Sequence, residues 1–154
     1  SEPRMSLTVL TTSWTTTKSI VRGPLDMLSA ILLSFVLTDL TKYEDATWLV
    51  ESSRKEGLIW GDQGRSLGPL QISKACWKDA LEFDPSIGGT YLDCQHLDYS
   101  IKIMRAYLAR YCTERRLGRK PTDFDRARIW VGGPRGPWRE SSIPYANKII
   151  GAMK

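Results

Sequence analysis

Two acidic side chains stand eleven positions apart in the stretch "VESSRKEGLIWGDQGRSLGPLQI", residues 50–72: Glu51 and Asp62. Two carboxylates beside one cleft are the minimum apparatus for cleaving a glycosidic bond. One gives a proton to the leaving oxygen, and the other, ionised, supports the oxocarbenium-like centre, attacks it or activates water. Their environments must differ so that one pKa is pushed up. Glu51 fits the first role, because it ends a predicted helix beside Val50 and near Trp48, where partial burial disfavours charge. Asp62 fits the second, because it lies between Gly61 and Gly64 in a polar loop whose backbone N–H groups can keep it ionised. Glu56 is a rival for the acid. By itself the pair is weak evidence, since acids at helix ends and in glycine turns are mostly surface residues.

Other chemistry is poorly supplied. His96 is the only histidine, in "LDCQHLDYS", and reads as a surface or capping residue at a helix start. No nucleophile-elbow motif accompanies it. Cys76, Cys94 and Cys112 form no CxxC and no Cys/His cluster, so neither a metal nor another cofactor is expected. An odd cysteine count leaves at least one thiol free or paired between chains. One disulfide remains open, and with it the redox compartment.

The elements that must position the acids are helical. At 154 residues the chain suits one domain with one core. Residues 1–42 read as a leader: a Ser/Thr-rich stretch, the breaker Gly23-Pro24, then the apolar run "LDMLSAILLSFVLTDL" at 25–40. That run is too short for a confident membrane span. It is either the core of a secretion signal, which would place the mature protein outside the cell, or a helix packed on the domain. Residues 43–154 form the main domain. Its first helix places Ala46, Leu49, Val50 and Ser53 on one face. A Gly-rich loop covers 57–68, a second helix 70–82, and the strongest helix 93–116, with the stripe Leu97, Ile101, Met104, Leu108 and Tyr111. Thr122 caps a further helix, "VGGPRGP" breaks it, and "SIPYANKIIGAMK" closes the chain with a short helix. The fold class is therefore mainly α, with a long central helix and Gly-rich connections.

The run Glu51-Ser52, Asp62-Gln63-Gly64 and Ser66-Leu67-Gly68-Pro69-Leu70-Gln71-Ile72 resembles the invertebrate-type (destabilase-like) lysozymes and their cysteine-poor relatives in the lysozyme superfamily. Downstream, "ARIWVGGPRG" at 127–136 and "IPYANKI" at 143–149 resemble further motifs of that family, in order, over about residues 46–150. The resemblance implies a lysozyme-like domain with its cleft between the 46–72 and 127–147 segments. It also implies a muramidase acting on the β-1,4 bond of peptidoglycan, with glycan strands as partner. Glu51 would be the general acid and Asp62 the second carboxylate. Ser66, Gly68 and Gln71 would line the cleft, Gly132-Gly133-Pro134 would form the facing wall, and Tyr145 would contact the glycan. Four departures stand out: Ser53 replaces a usual Gly, Val131 an Asn, Ala146 an aromatic, and the disulfide framework is missing.

Val131 and Ala146 support an alternative expectation, a weakly active or inactive lysozyme-like module that binds glycan or a protein. A third reading rests on charge. The formal net charge is +5, with basic residues concentrated in "RYCTERRLGRK" at 110–120. Such a balance suits an anionic partner. A nucleic-acid binder ranks last, because exposed aromatics for base stacking are few there and the two acids would have no role. No nucleic-acid partner and no stable membrane insertion are expected.

Overall fold

The computed structural model describes residues 39–154; residues 1–38, which hold most of the expected leader and its apolar run, lie outside the described residues. Helix α1 spans Lys42–Ser52 and starts at a capping box. The Glu44 N–H donates to Thr41 Oγ1 (3.2 Å), and the Thr41 N–H donates to Glu44 Oε2 (2.9 Å). Its inward residues are Tyr43, Glu44, Ala46 and Thr47, a face one turn nearer the N-terminus than the expected one. Ser53 is exposed and ends the helix in a left-handed conformation, φ 55°.

The expected 57–68 loop carries structure. Strands β1 (Trp60–Gly61), β2 (Ser66–Leu67) and β3 (Ile72–Ser73) form a small antiparallel sheet, with Trp60 opposite Leu67 and Ser66 opposite Ser73. Strands of two residues leave no alternating pattern to read in a sequence. Here cross-links replace length: the Gln71 side-chain amide donates to the Ile59 carbonyl (3.0 Å) and the Gly68 carbonyl (2.9 Å).

Helix α2 is Lys74–Phe83, shorter at its start than expected, because Ser73 caps it and Gln71 turns left-handed at φ 50°. The expected 93–116 helix is divided. A 3-10 turn covers Tyr91–Gln95, the central helix α3 is Leu97–Tyr111, and the short α4 is Glu114–Leu117. His96 is extended at ψ 135°, and Cys112 leaves helical geometry at ψ 68°. Glu56, the rival acid, accepts from the Leu97 N–H (3.2 Å) and so serves the start of α3. Helix α5, Asp123–Gly132, runs through the first glycine of the expected breaker. Residues Gly133–Trp138 then form a 3-10 segment, and α6 is Ile143–Ala152.

Core formation follows the apolar positions. Leu67, Leu70 and Ile72 of the sheet region meet Ile103 and Met104 of α3, Ile129 of α5 and Ile149 of α6, all essentially fully buried. Helix α3 packs against α2 and α5, while α6 packs against α1 and α5. Two buried acids are held by arginines: Glu44 by Arg105 (2.6 Å) and Asp125 by Arg119 (2.6 Å). All three cysteines are free thiols. Among the described residues no helix is long and apolar enough to cross a membrane, and no group of three or more His, Cys, Asp or Glu could hold a metal ion.

Candidate functional site

Glu51 occupies the last turn of α1, where the chain is fastened immediately afterwards. The Trp48 indole donates to the Lys55 carbonyl (3.0 Å), and the Ser52 hydroxyl donates to the same oxygen (3.0 Å). The Glu51 carboxyl therefore points from a fixed helix end towards α6, where the Tyr145 hydroxyl donates to its Oε1. Burial raises the Glu51 pKa, and it outweighs the opposing effects of Tyr145, Trp130 and the Lys148 charge. Burial and the neighbouring Glu51 carboxyl push the Tyr145 phenol far above its usual range.

Asp62 lies across the same cleft on the exposed turn between β1 and β2. It adopts φ 49° and Gln63 adopts φ 58°, a left-handed pair. The sequence reading assigned its support to backbone N–H groups. In the structure the support is a side chain: Arg65 Nη2 lies 2.8 Å from Asp62 Oδ1, and Arg65 Nε donates to the Asp62 carbonyl (3.1 Å). The two acids thus sit in opposite environments, one enclosed and the other solvated and ion-paired.

The cleft has a volume of about 360 Å³, and Glu51, Asp62, Ser66, Gln71 and Tyr145 all line it. Its remaining wall comprises Ile72, Ser73, Cys76, Trp130 and Val131. Five of the expected site residues therefore meet, although they are drawn from α1, the sheet and α6. Gly68 and Gly133 are not among the lining residues. Gly68 is buried at φ +80°, and a Cβ there would collide with the Cys94 carbonyl. Its need for glycine comes from packing the sheet turn on the chain before α3, not from the close approach of a sugar. Gly133, at φ +71°, takes the chain out of α5.

Trp130 and Cys76 were not singled out as site residues. Trp130 carried a signal, an aromatic directly before the noted Val131. Cys76 carried none beyond its place in the first turn of α2. Within the cleft Tyr145 donates to Glu51 Oε1, Arg65 pairs with Asp62 Oδ1, and the Gln71 amide donates twice to neighbouring backbone carbonyls. Val131 adds an apolar surface, 46% exposed, where the resembled pattern has a polar group.

No family model matches the chain, and no curated protein matches it. Among solved structures, the chain is similar to a chain of the crystal structure of Aeromonas hydrophila PliI in complex with Meretrix lusoria lysozyme. The TM-score is 0.61 and the identity 25%, over 71% of this chain and 87% of that chain. The mainly α fold stands, and the likeness is to a lysozyme-related interaction. The expected glycosidase is corrected by the same finding, because the similar structure is a complex of PliI with a lysozyme and points to lysozyme-related binding.

Proposed function

We propose that this chain is a protein-binding module of the lysozyme–inhibitor kind, with the cleft between α1, the small sheet and α5–α6 as its contact surface. One observation carries the reading: the chain resembles a chain of a lysozyme–inhibitor complex over 87% of that chain's length. The cleft offers a surface for it, with the apolar Val131 exposed at its wall. The proposed partner is therefore a protein, with a lysozyme the first candidate, in place of the glycan strands expected from sequence. A secreted location would suit such a partner, and the apolar run at 25–40 is its only support.

The test joins two measurements on the purified chain. Calorimetric titration with Meretrix lusoria lysozyme, and separately with Aeromonas hydrophila PliI, is expected to show binding of one of them. A suspension of bacterial walls is expected to stay turbid. Clearing of the walls that is abolished by Glu51→Gln overturns the proposal, as does the absence of binding to both proteins.

A further inference from the structure

A second cavity lies between the start of α1, the second half of α3, the start of α5 and Met153 near the chain's end, and it shares no lining residue with the cleft. Its volume is about 560 Å³, a size typical of small-molecule sites. Leu108, Ala109 and Met153 give it an apolar side. Its acids are already paired. Arg105 holds Glu44 (2.6 Å), and Nη1 of Arg126 holds Asp123 (2.7 Å). The Arg126 side chain makes no other hydrogen bond among the described residues, so most of its guanidinium fork is unused.

The Tyr43 hydroxyl is unused as well. Tyr43 is 4% exposed, and among the described residues its hydroxyl is a buried polar group with no hydrogen-bond partner. Thr47 stands near it, but the Thr47 hydroxyl gives its own proton to the Tyr43 carbonyl (2.8 Å). Cys112, Arg126 and Asp123 also act on the Tyr43 phenol, and all three belong to the cavity wall. The hydroxyl therefore lies beside that wall. Burial pushes its pKa well above the usual range, so it stays protonated and able to donate. A buried donor without an acceptor bears the cost of its lost hydration, and such a group in a folded protein calls for a missing partner.

Donors without acceptors suit an anion, and the apolar side suits a hydrocarbon. We infer that this cavity binds a small amphipathic carboxylate, its carboxyl received by the Tyr43 hydroxyl and the Arg126 guanidinium and its hydrocarbon part lying on Leu108, Ala109 and Met153. An arginine fork matches a carboxylate in shape as well as charge. The site is independent of the protein-binding reading of the cleft.

Octanoate is the probe, titrated calorimetrically into the full chain. Saturable binding at one site is expected. Octan-1-ol, which keeps the hydrocarbon and lacks the charge, is expected to bind at least about tenfold more weakly. Tyr43→Phe is expected to weaken octanoate binding about tenfold or more without lowering the thermal midpoint, because the hydroxyl it removes bonds nothing in the unliganded fold. A merely structural hydroxyl would lower the midpoint. Arg126→Gln gives up only a half-exposed surface pair and is expected to weaken binding likewise. Octanoate is also expected to protect Cys112, in this cavity's wall, from iodoacetamide while Cys76, in the cleft wall, reacts as before. The inference is overturned by an absence of saturable binding, by equal binding of octan-1-ol, or by binding undiminished in either variant. A lowered midpoint for Tyr43→Phe, or protection of Cys76 in place of Cys112, overturns it too. None of these outcomes bears on the titrations with lysozyme and PliI.

Discussion

The Glu51 carboxyl is where residue chemistry is most altered by its surroundings. Because burial raises its pKa, the folded protein keeps this proton to a higher pH than the unfolded chain does. The stability tied to that proton is complete below the ordinary carboxylate range and declines as pH rises through the raised folded value. Glu51→Gln removes the decline. Thermal unfolding between about pH 4 and pH 7 is therefore expected to show the variant gaining on the wild type as pH rises. A variant that loses ground over that interval contradicts the assignment. Tyr145→Phe removes the hydroxyl that donates to Glu51. It is expected to cost about 1–3 kcal/mol in urea unfolding, the usual penalty for leaving a buried polar group unpaired. The residue types at Glu51 and Tyr145 were legible from the sequence. Their mutual contact, across 94 positions, was not.

At the scale of elements, the small sheet shows one motif serving two roles. In the Ser-x-Gly-Pro-x-Gln-Ile run Ser66 and Gln71 line the cleft, while Gly68 and the Gln71 amide also hold the sheet turn together. Gly68 is needed for φ +80° and for its contact with the Cys94 carbonyl, whereas Gly64, at φ +82°, has nothing nearby. The two positions form a natural comparison. Gly64→Ala is expected to cost about 1 kcal/mol, the strain of the left-handed conformation alone. Gly68→Ala carries the same strain plus a collision with backbone, and is expected to cost more than about 2 kcal/mol. Denaturant midpoints measured on both variants check this, and equal costs would show that packing at Gly68 does not matter. The divided central helix is a second case. The stripe from Leu97 to Tyr111 was read correctly, but the breaks at His96 and Cys112 arise from backbone geometry that neither side chain announces.

The whole molecule responds to acid through the carboxylates that its arginines hold. Arg119, aided by Thr122, keeps Asp125 ionised down to about 2, against the cost of its burial. Glu44 is likewise lowered: burial opposes its charge, and the bonds from Arg105 and Thr41 prevail. Groups with depressed pKa values contribute stability that is complete above their unfolded values and is lost as pH falls through the folded ones. The protein is therefore expected to lose stability between about pH 4 and pH 2, and Asp125→Asn to flatten that loss while lowering stability at neutral pH. Acid titration followed by circular dichroism measures both. The opposite signs at Glu51 and Asp125 set a stability maximum between the two regimes. The net charge of +5 bears on partners rather than on fold.

By itself the sequence determined the mainly α class, the capping of α5 at Thr122, the apolar stripe of α3, and the two acids with the segments that bring them near one another. Those are properties of neighbouring residues, carried by periodicity and by short-range backbone preference. Only the tertiary structure decided which groups are already partnered: Glu51 by Tyr145, Asp62 by Arg65, Glu56 by the start of α3, with Trp138 left outside. A carboxylate's chemistry depends on the solvation and hydrogen bonds around it, and those are supplied by residues distant in the chain that only folding brings together.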